Sequence, residues 1–219
     1  KVIGFNDKSA LHENINNNTA AVIVEPIQGE GGIRVFPEQT LKLIKDLCDK
    51  TGTLLIIDEV QCGLGRTGKL FAHEWYNIEP DIMAVAKGIG GGFPLGACLS
   101  SENASIGMVQ GKHGSTYGGN PLACAVAKSA LEVVKEENLE QNALEMGELF
   151  RERLEQIKSK SNLVTLIRGK GLLNAMVIND SEESSTAWDI CIRMKNNGLI
   201  AKPTHGNIIR FAPPLVINK

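Results

Sequence analysis

The stretch Asp81-Ile-Met-Ala-Val-Ala-Lys87 is an apolar run that ends on a lysine, and Gly88, Gly90, Gly91 and Gly92 follow at once. Two more apolar runs end on acids: Ala20-Ala-Val-Ile-Val24 on Glu25, and Thr53-Leu-Leu-Ile-Ile57 on Asp58-Glu59. If these runs are strands of one open α/β sheet, their carboxyl ends share a rim, and ligands bind outside that rim. Acids and a lysine on a rim equally make a structural ion pair. The glycines favour chemistry, because they permit unusual backbone angles and let a bulky group approach. A desolvated lysine loses its proton more easily and becomes a nucleophile able to form a Schiff base. A carboxylate on a neighbouring strand is what a pyridinium nitrogen requires, since it keeps the ring protonated and electron-withdrawing. Lysine and aspartate together describe a site for pyridoxal 5'-phosphate (PLP).

The elements that must position these residues are legible. Pro37-Glu-Gln opens a helix whose Leu41, Ile44, Leu47 and Cys48 share one face, and Gly52 ends it. Ile82–Ala86 and Leu95–Leu99 add apolar strands. Strands apolar on both faces and separated by helices predict a covered, mainly parallel α/β sheet. From Pro121 to about Ser161 the pattern is helical, with a break near Asn138. Strands over 163–167 and 172–178, a helix over 185–197 closed by Asn196-Asn-Gly198, and short strands to Phe211 predict a smaller α+β unit. Residues 1–134 are therefore expected to belong to a large domain and 135–219 to a small one.

Composition excludes other classes. The 219 residues are 42% hydrophobic and 22% charged, with net charge −2 and no basic tract, so neither nucleic acid nor an anionic membrane is expected as partner. The apolar runs are strand-sized, far short of the roughly 20 residues of a membrane helix. The five cysteines are scattered and read as thiols in a reducing, cytoplasmic setting; the four histidines have no metal-ligand spacing. Gly63-Leu-Gly65-Arg-Thr-Gly68 satisfies G-x-G-x-x-G, but Asp58–Cys62 separates it from the strand, which argues against a dinucleotide fold. Cys62 reads as a buried filler, and Trp75, Tyr76 and Trp188 as core or interface anchors.

Leu55-Ile-Ile-Asp58-Glu-Val-Gln-Cys-Gly-Leu-Gly-Arg66-Thr-Gly, then Pro80-Asp81, then Ala86-Lys87-Gly, resembles the class III (ω-) aminotransferase signature. Glu25-Pro-Ile-Gln-Gly-Glu30-Gly-Gly and His113-Gly-Ser-Thr-Tyr-Gly-Gly-Asn-Pro121 resemble further blocks of that family, in order along the chain. The resemblance implies the PLP-dependent fold type I, represented by the C-terminal part of its large domain and its small domain, the last helix being truncated. It makes Lys87 the residue that binds the cofactor aldehyde and then moves the proton as general base and acid. Asp58 becomes the partner of the ring nitrogen and Gln61 that of the phenolic oxygen. Thr116, with Ser115, becomes the phosphate group's partner in the neighbouring subunit, which implies a homodimer with a shared active site. Arg210, in Ile208-Ile-Arg210-Phe-Ala-Pro-Pro214, becomes the recogniser of a substrate carboxylate. Glu30 becomes its switch, paired with Arg210 until a dicarboxylate arrives; Glu25 either contacts substrate or cofactor or supports the site from behind.

The implied reaction moves the ω-amino group of N-acetylornithine or ornithine to 2-oxoglutarate. Residues 20–134, especially Phe93-Pro-Leu-Gly-Ala-Cys-Leu99, look most like acetylornithine aminotransferases; Arg168-Gly-Lys-Gly-Leu-Leu-Asn-Ala and Ala201-Lys-Pro-Thr-His-Gly look like ornithine aminotransferases. The catalytic blocks tilt the reading to acetylornithine. Other PLP chemistries of the scaffold (4-aminobutyrate transamination, an aminomutase, a racemase) stay open. A non-catalytic relative would have no reason to keep Lys87, Asp58 and Gln61 together. The family's N-terminal half is missing from this reading, so the isolated chain is expected to bind PLP weakly and not to turn over.

Overall fold

The computed structural model describes residues 1–219. In chain order it contains α1 (Lys8–Asn14), β1 (Ala21–Val24), β2 (Ile27–Gln28), β3 (Arg34–Val35), α2 (Glu38–Thr51), β4 (Leu54–Asp58), β5 (Ile82–Ala86) and β6 (Gly96–Ser100). There follow α3 (Glu102–Ser105), α4 (Pro121–Glu136), α5 (Leu139–Lys158), β7 (Val164–Lys170), β8 (Leu173–Ile178), α6 (Thr186–Asn196), β9 (Lys202–Thr204) and β10 (Ile208–Phe211).

The first sheet has the order β1-β4-β5-β6, parallel except for β6. Its core face is built by period-two alternation: Leu55 and Ile57 of β4 are fully buried, and Met83 and Val85 of β5 continue the face. The stripe Leu41, Ile44 and Cys48 of α2 covers it, with Gly52 in the left-handed region (φ 70°) as C-cap. The other face is open, contrary to the covered sheet expected from apolar strands. Ile23 is 68% exposed and every residue of β6 is exposed. Leu11 of α1 and Ile15 at its C-cap join α2 on the Leu55 and Ile57 side.

The second sheet, β7-β8-β10-β9, is antiparallel throughout. Leu154 of α5 and Cys191 of α6 pack with Ile167, Ile178, Ile209 and Phe211 over it. Phe150 and Phe211 meet edge-on at 5.3 Å. The predicted helix break is Asn138, in the left-handed region at φ 51° between α4 and α5. A Cβ at Gly147 of α5 would stand 1.9 Å from the Gly171 carbonyl oxygen, so only glycine admits this close crossing.

The Gly63–Gly68 segment is the seam between the two sheets. Leu172 N–H donates to the Arg66 carbonyl at 3.0 Å, and the Arg66 guanidinium donates to the carbonyls of Leu172 and Pro213. No helix begins there, in keeping with the rejection of a dinucleotide motif. Trp75 sits between Lys69 and Lys170, whose ammonium groups lie 5.3 and 3.8 Å from its ring. Tyr76 is buried, its hydroxyl donating to the Phe36 carbonyl at 3.0 Å. Trp188 is not a core residue: it is 57% exposed on α6.

Candidate active site

Parallel pairing delivers Glu25, Asp58 and Lys87 to one rim, because Val24 is level with Ile57 and Asp58 with Ala84, two residues short of the end of β5. A groove of about 790 Å³ follows the outer edge of β1 and has Glu25, Gln28 and Asp58 among its walls. Asp58 is half-buried, and its Oδ1 accepts from Val60 N–H at 2.9 Å, which sets the turn after the strand.

Glu59 does not share this rim. Strand alternation sends it to the core side with Leu55 and Ile57, and it is fully buried. Its carboxylate accepts from Ala72 N–H at 2.9 Å, His73 N–H at 2.8 Å and the Cys62 thiol at 3.3 Å, and pairs with His73 Nδ1 at 3.0 Å. A buried carboxylate is tolerated only with such a set of donors. It clamps the 58–62 turn and so orients Asp58 and Gln61. Burial, with the Glu59 charge beside it, pushes the Cys62 thiol well above its usual range, which leaves it an inert filler as expected.

Gln61 reaches across to the 25–32 segment, where a Cβ at Gly29 would stand 1.9 Å from its Oε1. Gly29 N–H in turn donates to Glu25 Oε2 at 3.0 Å. Burial raises the Glu25 carboxyl above its ordinary 4.5 and the Asp58 charge adds to this, against the Gly29 hydrogen bond and the Lys87 charge. A carboxyl with a raised native pKa favours the fold below its unfolded value and loses that contribution as pH rises through the native one. Glu25→Gln in the full-length protein is therefore expected to raise the melting temperature at pH 7, with the gain vanishing on acidification below about pH 4. Calorimetry across pH checks it; an unchanged or lower melting temperature at pH 7 contradicts it.

Lys87 follows Ala86 directly and stands in the left-handed region at φ 50°, where a side chain is strained by about 1–2 kcal/mol. Gly91 and Gly92, at φ 54° and 101°, then turn the chain away. Strain of this kind concentrates at functional sites. The desolvation expected of a nucleophilic lysine is not supplied by this chain alone: Lys87 is exposed, as is every residue of β6.

Across the second sheet, Arg168 is opposite Ala175, Ala175 opposite Arg210, and Arg210 opposite Lys202, so three cations share one row on one face. The row meets the 28–32 turn. Arg168 Nε donates to the Gly32 carbonyl at 2.8 Å. Arg210 Nη1 lies 2.9 Å from Glu30 Oε1, and Lys202 Nζ 3.4 Å from Glu30 Oε2. These cations hold the Glu30 carboxyl below its ordinary value, against a desolvation effect of opposite sign. The Arg210 side chain is 9% exposed, and its Nε and Nη1 have no hydrogen-bond acceptor; the Glu30 contact is close but not aligned. Sequence reasoning had paired Glu30 with Arg210 but missed Lys202 and Arg168, which only the antiparallel register brings alongside.

Ser115 and Thr116 lie in an exposed stretch before α4, and neither hydrogen-bonds to the Asp58–Gln61 turn. Ser115 Oγ accepts from Gly118 N–H at 3.1 Å, and Asn120 caps α4 by accepting from Ala123 N–H at 2.9 Å. The start of α4 is thus partly satisfied by its own cap.

The donor set suits PLP: an amine for an aldehyde, a carboxylate beside it for a ring nitrogen, an amide for a phenolic oxygen, and a buried arginine short of acceptors for a substrate carboxylate. Comparison with known proteins agrees. The family model for class III aminotransferases matches residues 5–219. An ornithine aminotransferase of Emericella nidulans is 52% identical over all of this chain and 49% of its own length. A mitochondrial ornithine aminotransferase of Drosophila melanogaster is 49% identical over the whole chain and 50% of its own length. The crystal structure of an acetylornithine aminotransferase from Elizabethkingia anophelis superposes with TM-score 0.94 and 50% identity, over 99% of this chain and 55% of that one. The chain thus spans about half the length of the curated relatives it matches. This chain belongs to the class III aminotransferases, a family of PLP-dependent enzymes of fold type I.

Proposed function

We propose that this chain is the part of an ω-aminotransferase that carries the lysine, the ring-nitrogen acid and the carboxylate switch, moving an amino group from ornithine to 2-oxoglutarate. The observation that carries the reading is Arg210, a guanidinium nine-tenths buried with N–H groups lacking acceptors, beside a displaceable Glu30. PLP, when bound, supplies an aldehyde and a protonated ring that draw electrons from the substrate carbon bearing the amine. Lys87 Nζ would hold the group through that aldehyde and, once displaced by the donor's amine, would take the proton from the substrate carbon that bears the nitrogen and deliver it to the former aldehyde carbon. The Asp58 carboxylate would hold the proton on the ring nitrogen, and the Gln61 amide would donate to the phenolic oxygen. Ser115 and Thr116 of each subunit would hold the phosphate in the neighbouring site of a two-fold dimer, residues 1–134 forming the large domain and 135–219 the small one.

Arg210 with Glu30 gives one pocket two states. Paired, the two are neutral and admit the side of the donor that carries the ω-amine. Parted, Arg210 offers a bidentate fork to the carboxylate of the keto acid. Ornithine is preferred to N-acetylornithine because both curated relatives reported above, matched over the whole chain at about half identity, carry the ornithine name. N-acetylornithine is the second reading, favoured by the 50%-identical Elizabethkingia enzyme. Incubating the full-length protein with each donor and 2-oxoglutarate, and measuring glutamate, decides. Glutamate formation about tenfold faster from ornithine is expected. Faster turnover of N-acetylornithine supports the second reading, and no glutamate from either donor ends both.

A further inference from the structure

We propose that Lys202 is a positioning residue: it retains Glu30 when an incoming carboxylate displaces it from Arg210, and so sets how readily the keto acid competes. This rests on the reading of Arg210 as the carboxylate site. The two oxygens of Glu30 are divided between two cations, Oε1 at 2.9 Å from Arg210 and Oε2 at 3.4 Å from Lys202. The cations differ in burial: the Arg210 side chain is 9% exposed and that of Lys202 66%. A carboxylate driven off the inner cation therefore already touches an outer one, and a short rotation completes the transfer. The backbone of Glu30 need not move, because its carbonyl accepts from Thr204 Oγ1 at 3.0 Å. Lys202 and Thr204 both stand on β9, and Lys202 is the direct cross-strand partner of Arg210 on β10. One short strand thus fixes the pivot of Glu30 and supplies its second seat.

Without Lys202 the displaced carboxylate has only water, and the approaching dianion meets one cation fewer. Both effects disfavour the keto acid and leave the amino donor, which meets the closed pair, nearly untouched. A purely structural role for Lys202 would affect both substrates alike.

The test uses the full-length holoenzyme and separate half-reactions, one with ornithine and one with 2-oxoglutarate. Lys202→Gln is expected to raise the half-saturating 2-oxoglutarate concentration about fivefold, the size of an exposed ion pair, with the ornithine half-reaction changed by less than about twofold. Lys202→Arg, which keeps the charge, should restore most of the loss. Equal changes in both half-reactions, or an arginine variant no better than the glutamine one, would overturn the proposal. Arg210→Gln is the reference. If it impairs 2-oxoglutarate while Lys202→Gln does not, the role of Lys202 is refuted and that of Arg210 stands. If Arg210→Gln leaves 2-oxoglutarate unaffected, the carboxylate reading itself fails and takes the role of Lys202 with it.

Discussion

Lys87→Ala in the full-length protein is expected to lower the transamination rate by at least about 10⁴-fold, the upper range for removing a positioned acid–base group. Lys87 is the amine directly after β5, the strand paired with the one that ends on Asp58, and it occupies a left-handed backbone position at φ 50° that its side chain disfavours. Lys87→Arg should be equally inactive, because a guanidinium stays charged and cannot act as nucleophile or base. Folding should hardly change, since Lys87 is exposed and the φ requirement is the same for alanine; surface substitutions stay within about 0.5 kcal/mol. Single-turnover kinetics beside thermal unfolding separate the two effects. A variant that keeps more than about a hundredth of the rate would remove Lys87 from the chemistry.

Asp58→Asn carries the second large effect, a fall of about 10³-fold in rate, the size of losing one preorganised electrostatic partner. The amide preserves shape and can still accept from Val60 N–H, now 2.9 Å from Oδ1, so the turn survives. It cannot hold a proton on a ring nitrogen, so the ring stops drawing electrons. Glu59, fully buried and bonded to the 72–73 backbone, has no freedom to substitute for it. The loss should therefore appear in the chemical step, with the protein folded and the cofactor still retained on dialysis. A rate within about tenfold of the unsubstituted protein would show that the ring charge is not set by Asp58.

Much of this was legible beforehand, for reasons that differ by element. The stripe on α2 and the break at Asn138 follow from helical period and a residue that tolerates the left-handed region. The chemistry of Lys87 and Asp58 followed from strand ends, because parallel strands in near register share a rim. Glu59 was misread as a rim acid, although its odd-numbered company, Leu55 and Ile57, already marked the core face. Helix α1 and the β2–β3 hairpin were not foreseen; segments of so few residues leave no period to detect. Lys202 and Arg168 were invisible as site residues for another reason. Their neighbourhood is created by the register of three antiparallel pairings, which local pattern does not encode. The open face beside Lys87 was likewise hidden, since apolar alternation shows that a strand can be covered and not what covers it.

The most direct test of Lys87 as the residue that binds the cofactor is borohydride reduction of the full-length protein with PLP, followed by peptide mass mapping. The expected result is a single pyridoxyl group on the peptide containing Lys87. Modification spread over other lysines, with Lys87 unlabelled in a protein that retains the cofactor, would contradict it.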